Sequence, residues 1–72
     1  MNTFYYIQTT ETDPTYRRFV RAEGCRYQGL TKGAPTLFTD EEDAQAALQS
    51  YKRISKNSGK RPTPMDIHTI VL

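Results

Sequence analysis

The residues of this chain that could do chemistry are one histidine, one cysteine, one run of carboxylates and ten basic groups. His68 follows Asp66 by two positions, so imidazole and carboxylate share one face of a strand, as a weak general base would need. Polar strand surface is the plainer reading of the same pair. Cys25 stands between Gly24 and Arg26, and a neighbouring guanidinium favours the reactive thiolate. No partner base stands near it, so a semi-buried structural cysteine is expected. Asp40-Glu41-Glu42-Asp43 offers four carboxylates. Consecutive helical residues point in different directions, so these four do not converge on a metal or a reacting atom. Capping and dipole compensation at a helix start explain them. Gly24 and Gly29 have the spacing that opens a phosphate loop, but Leu30-Thr31 stands where Lys-Ser/Thr is required. The expectation is no catalytic set, no metal site and no cofactor.

The basic groups carry more. Arg17, Arg18, Arg21 and Arg26 lie in the first half, close to Tyr16 and Tyr27. Lys52, Arg53, Lys56, Lys60 and Arg61 lie further on, with no acid between residues 52 and 61. Arginine beside aromatics suits phosphates and stacked bases. It suits a protein partner equally, since Tyr and Arg are favoured at binding hot spots. These eleven residues form the expected partner-binding face. The bland alternative is a solvated surface whose cations compensate a helix C-terminus. A net charge of +2 is too small to point to nucleic acid by itself.

The elements that must position these groups are legible in outline. Thr39 can cap a helix over about residues 40–56, with Glu42 three residues later completing a capping box. Ala44, Ala47, Leu48, Tyr51 and Ile54 follow helical spacing and predict its buried face. Acids in the first turn and Lys52, Arg53 and Lys56 in the last complement the helix dipole. Asn57-Ser58-Gly59 reads as the stop.

The rest reads as strand or loop. Thr3 to Thr9 is rich in aromatic and β-branched residues and predicts a first strand. Asp13-Pro14 marks a turn. Tyr16 to Arg21 predicts a second strand, paired with the first as a hairpin. A third strand falls around Cys25 to Gln28 or around Thr36 to Phe38. Lys60 to Pro64 reads as a loop, and Ile67 to Leu72 as a closing strand. If that last strand ran parallel to a neighbour, residues 39–64 would be the crossover. Tyr5 and Ile7 oppose Phe4 and Tyr6, so both faces of the first strand are aromatic, and one helix covers only one face.

The expected fold is therefore α+β, a single domain over 1–72. A mainly antiparallel sheet of three to four strands, in the order β-β-(β)-α-β, carries one amphipathic helix on one face. A chain this short buries only about 60% of its unfolded surface, which predicts a small core and little room for a deep cleft. With a single cysteine, no intrachain disulfide and no cysteine-rich zinc site are expected. No signal peptide or membrane-spanning run is apparent, which predicts a cytoplasmic protein with no membrane partner.

Three stretches together form a recurrent plan: Phe4-Tyr5-Tyr6-Ile7-Gln8, Phe38-Thr39-Asp40-Glu41-Glu42-Asp43-Ala44-Gln45-Ala46-Ala47-Leu48, and Ile67-His68-Thr69-Ile70-Val71. The plan resembles small β-β-α-β proteins of phages and mobile elements, including some anti-CRISPR proteins. The resemblance implies an inhibitor that binds a host nucleic-acid-handling defence complex and blocks target recognition. The functional expectation is thus a non-enzymatic binding module, with a larger protein or nucleoprotein as partner. The alternative is a small basic regulator that binds nucleic acid directly. A homodimer is one way to bury the aromatic surface left over on the sheet.

Overall fold

The computed structural model describes all residues, 1–72. Four strands and one helix follow one another as β1 (Thr3–Thr9), β2 (Phe19–Glu23), β3 (Arg26–Thr31), α1 (Glu41–Asn57) and β4 (Met65–Val71). The strands form one sheet in the order β3-β2-β1-β4, and every pairing is antiparallel. The parallel crossover over residues 39–64 is therefore not the arrangement used. Helix α1 lies on one face, as the α+β reading requires, and the other face has no layer over it.

Period-two alternation sorts the side chains. Tyr5, Ile7 and Thr9 of β1, Val20 and Ala22 of β2, and Met65 and Ile67 of β4 face the helix. The helix meets them with Ala44, Ala47 and Tyr51, while Leu48 is half-buried. Two alanines let the helix backbone approach the sheet closely, so Ile7 and Val20 are sealed completely beneath it. Ile54, expected on the buried face, is 45% exposed. It sits beyond the last well-covered turn, at the edge of the sheet. Only seven of 72 residues are buried, so each core side chain carries a large share of the stability.

Strand β2 starts later than its apolar alternation suggested. Tyr16 N–H bonds the Asp13 carbonyl and Arg17 N–H the Pro14 carbonyl, so the turn begun at Asp13-Pro14 runs through Tyr16. Between β2 and β3, Gly24 takes φ +60° and Cys25 follows with negative φ, which fits a two-residue type II′ hairpin with glycine first. Both candidate sites for a third strand are occupied. Arg26–Thr31 is a full strand, and Phe38 bridges Tyr5 as a single antiparallel pair.

That bridge shapes the sheet. β1 and β2 pair at Gln8–Phe19 and then diverge. The segment 36–38 fills the gap: Phe38 and Tyr5 exchange two bonds of 2.8 Å, and Thr36 N–H reaches the Val20 carbonyl at 3.2 Å. The Thr36 hydroxyl accepts from Ala22 N–H at 2.9 Å and donates to the Ala22 carbonyl at 3.3 Å. The wedge delivers Phe38 to the core and leaves Leu37 on the opposite, open face.

The helix begins one residue later than a Thr39 cap would set it. Asp40 occupies the cap position and no side chain bonds the first turn, so the Thr39–Glu42 capping box does not form. Glu41, Glu42 and Asp43 still place negative charge against the positive helix end. At the other end, Gly59 takes φ +73°, and Lys60 N–H returns to the Ser55 carbonyl. This wraps the helix end as the Asn57-Ser58-Gly59 signal implied.

Candidate binding site on the open sheet face

The uncovered face carries a row of rings across three strands. Pairing of Gln8 with Phe19 and of Tyr6 with His68 brings Phe19, Tyr6 and His68 side by side. Tyr6 and Phe19 are tilted at 58° with centroids 6.0 Å apart. Tyr6 and His68 stack, 5.3 Å apart and 19° from parallel. His68 is thus held by a ring, which gives the strand histidine a packing role that its pairing with Asp66 did not suggest.

A shallow groove of about 470 Å³ runs beside this row. Tyr6, Gln8, Phe19 and Ile70 form its floor, the loop residues Ala34, Pro35 and Leu37 its wall, and Arg17 closes one end. Leu37 is 40% exposed and Ile70 36% exposed, so apolar surface stands open to solvent here. The loop forms a wall because Thr36 is tied to β2 on one side and Phe38 to β1 on the other.

The eleven basic and aromatic residues expected to form one face do not lie together. Arg21 and Arg26 are exposed on strands β2 and β3, with register positions on the open face. Arg17 reaches the groove but also donates from Nε to the Glu11 carbonyl (3.4 Å) and from Nη2 to the Thr12 carbonyl (3.2 Å). Arg18 donates from Nη1 to the carbonyls of Thr15 and Arg17, at 3.1 and 2.9 Å. These two guanidiniums act as struts for the 10–18 loop, whose tip exposes Tyr16. Lys52, Arg53 and Lys56 are exposed on the helix, across the layers from the open sheet face. Lys60 and Arg61 border a second hollow of about 310 Å³ between the helix end and β3.

Tyr27 belongs to neither basic cluster. It packs edge-on against Tyr51 in the seam between sheet and helix, with ring centroids 4.9 Å apart. Burial raises the Tyr27 phenol above the ordinary tyrosine value, and the charge on Tyr51 adds to this. For Tyr51, burial pushes upward, but hydrogen bonds with Thr63 and Ser55 outweigh it and the net direction is down.

Cys25 is exposed at the hairpin tip, not semi-buried. Its Sγ donates to Asp43 Oδ1 at 3.6 Å. Desolvation, and then the Asp43 carboxylate, raise its pKa. The thiolate favoured by Arg26 is therefore not the state this neighbourhood promotes. The remaining carboxylates of the acidic run do not gather, and no three potential metal ligands cluster anywhere in the chain.

The groove residues Phe19, Leu37 and Ile70 were not singled out as site residues from the sequence. The doubly aromatic alternation of β1 signalled an uncovered apolar face, but nothing local signalled that residues 34–37 would return to wall it. No known protein family, curated protein or solved structure matches the chain. What fold and site define together is a small two-layer α+β protein, a four-stranded antiparallel sheet under one helix, with a walled groove on its uncovered face. No helix is long and apolar enough to cross a membrane.

Proposed function

We propose that this protein is a non-enzymatic binding module that takes a partner protein on the open face of its sheet. The observation that carries this reading is the apolar groove of Tyr6, Phe19, Leu37 and Ile70 with Arg17 at its end. Its occupant is an extended partner segment that sets an apolar side chain against the rings and a carboxylate near Arg17 and Arg21. Aromatic floors with an arginine at the rim are the make-up of interface hot spots. In its narrower form, the partner is a host nucleic-acid-handling defence complex, and the module acts as a phage-type inhibitor. That form draws on the resemblance of the sequence plan. The cytoplasm suits an exposed Cys25, which stays a thiol in a reducing compartment.

One observation favours direct nucleic-acid binding instead: the ring row Phe19–Tyr6–His68 is a platform on which bases stack. Against it, the cations are divided between opposite sides of the molecule, with Lys52, Arg53 and Lys56 on the helix. A backbone-tracking groove needs its cations together.

The test places a photo-crosslinking amino acid at Leu37 on the groove wall or, separately, at Arg53 on the helix. Each variant is irradiated in cell extract with and without nuclease. The expected result is one discrete protein captured through position 37 but not 53, surviving nuclease and lost on Phe19→Ala. Capture through position 53 alone overturns the open-face reading. Tight binding of single-stranded oligonucleotides, weakening steeply with salt, overturns it in favour of nucleic acid.

A further inference from the structure

Strand β4 is an outer edge of the sheet, and its hydrogen-bonding groups can be assigned one by one. Asn2 and Leu72 exchange two backbone bonds, at 3.0 and 2.9 Å, and Thr10 N–H reaches the Pro64 carbonyl at 3.1 Å. Pro64 and Leu72 therefore turn their groups toward β1. Antiparallel ladders alternate, so Asp66, His68 and Ile70 do the same. Tyr5 checks the phase independently: opposite Thr69, it directs both its backbone groups away from β4, to Phe38. Met65, Ile67, Thr69 and Val71 consequently point every N–H and C=O outward, along an edge that no other element covers.

Edges of this kind are normally guarded by lysine, proline or a bulge. Residues 65–71 contain none of these, and their one charge is Asp66. The register with β1 is unbroken from Thr9–Met65 to Thr3–Val71. The other edge, β3, is by contrast interrupted by a register shift opposite Arg21/Ala22 of β2, where Gln28 has no partner, and begins at Arg26. The C-terminal end of the open edge is also apolar: Val71 is 54% exposed and Leu72 64% exposed.

We infer that β4 pairs antiparallel with β4 of a second copy of this chain, about a two-fold axis at His68. Among self-pairing registers, the one centred on His68 sets Met65 opposite Val71 and Ile67 opposite Thr69 of the second copy. It uses all four outward residues of both strands. A centre at Ile67 or Thr69 leaves outward groups unpaired. The chosen register opposes apolar Met65 to apolar Val71 on the helix side, and on the open side sets Asp66 opposite Ile70 rather than another acid. No like charges oppose one another in this register and every outward backbone group finds a partner, and this self-complementarity favours a second copy over a foreign strand as occupant.

The dimer has a functional corollary. Its two sheets merge into one of eight strands, and the open faces become continuous. His68 of each copy meets the other across the axis as a non-hydrogen-bonded pair, with Cα atoms about 4.5 Å apart. The ring row Phe19–Tyr6–His68 then continues into the second copy, and the two grooves lie on one surface. This extension does not depend on what the grooves bind.

The test uses the full chain. Sedimentation velocity is followed up to about 100 µM, because an edge-only interface lies at the small, weak end of the size range. Backbone amide exchange is read by NMR at the two ends of that range. The expected result is a monomer–dimer equilibrium in which the Ile67 and Thr69 amides gain protection with concentration. The His68 amide, already bonded to β1, is protected at both ends. Val71→Lys, at an exposed position, weakens association by about tenfold or more through two lost apolar pairs and an edge lysine. Thr69→Pro removes one outward N–H and abolishes association. A chain that stays monomeric throughout overturns the inference, and so does a dimer in which the Ile67 and Thr69 amides gain no protection. Protection of those amides only on adding a foreign extended peptide overturns it as well.

Discussion

The Tyr51 phenol oxygen accepts the Thr63 backbone N–H at 2.8 Å, fastening the helix to the loop that enters β4. Tyr51 also meets Tyr27 edge-on, so one side chain holds together the helix, the hairpin strand β3 and the approach to β4. Tyr51→Phe keeps the ring and loses the bond. Since Thr63 is exposed and its N–H can turn to water, the expected loss is about 1 kcal/mol, read by urea denaturation.

The same pair makes an alkaline prediction. Tyr51 ionises below the ordinary tyrosine value near 10 and Tyr27 above it. The lowered group adds stability as pH rises through its folded value toward about 10. The raised group contributes stability present below about 10 and lost as pH climbs through its folded value. Residue-resolved NMR titration should therefore show Tyr51 deprotonating before Tyr27. In Tyr51→Phe, Tyr27 should titrate lower than before while staying above the ordinary value, because burial is its larger cause. An unchanged Tyr27 titration would refute the coupling.

Ile7 and Val20 are the two largest fully sealed side chains, in a core with little else to share the load. Ile7→Val should cost about 1 kcal/mol and Ile7→Ala about 2–5 kcal/mol. The larger figure is a substantial part of the ~5–15 kcal/mol that holds a typical domain. Thermal unfolding should place the alanine variant near or past the edge of folding at room temperature.

Thr36→Val keeps shape but removes both bonds to Ala22, leaving its N–H and carbonyl short of partners in a half-buried position. A loss of about 1–3 kcal/mol is expected. Because Thr36 anchors the wall residue Leu37, crosslinking through position 37 should fall with it. Stability loss without any change in capture would detach the wedge from the groove.

Cys25 should react slowly with iodoacetamide at neutral pH despite its exposure. Asp43→Asn removes the carboxylate that holds the proton on sulfur and should speed the reaction. An equal or slower rate in that variant would show that Asp43 does not govern the thiol.

Legibility in the sequence followed the range of the forces involved. The helix was readable because Ala44, Ala47 and Tyr51 repeat within one element. The two faces of β1 were readable because alternation is local. The capping box failed because two side chains that match a motif form no cap once Asp40 takes that position. The basic residues are dense in sequence, which suggests one face, whereas layering sends Arg21 and Arg53 to opposite sides. The groove was invisible for a related reason. It exists only where residues 34–37 return across a gap between β1 and β2, and that gap depends on Phe38 finding Tyr5.

The pairing of β1 with β4 closes the largest loop in the fold. Thr3 meets Val71 and Thr9 meets Met65, so the longest ladder in the molecule joins segments separated by nearly the whole chain. Helix α1 and the β2–β3 hairpin are closed by nearby residues and can form early. The ladder must wait until the entropy of a very large loop has been overcome. Until then Ile7 has no finished core to enter, and β1 lacks its β4 partner. High contact order of this kind slows a small domain well below the microsecond folding of helical bundles.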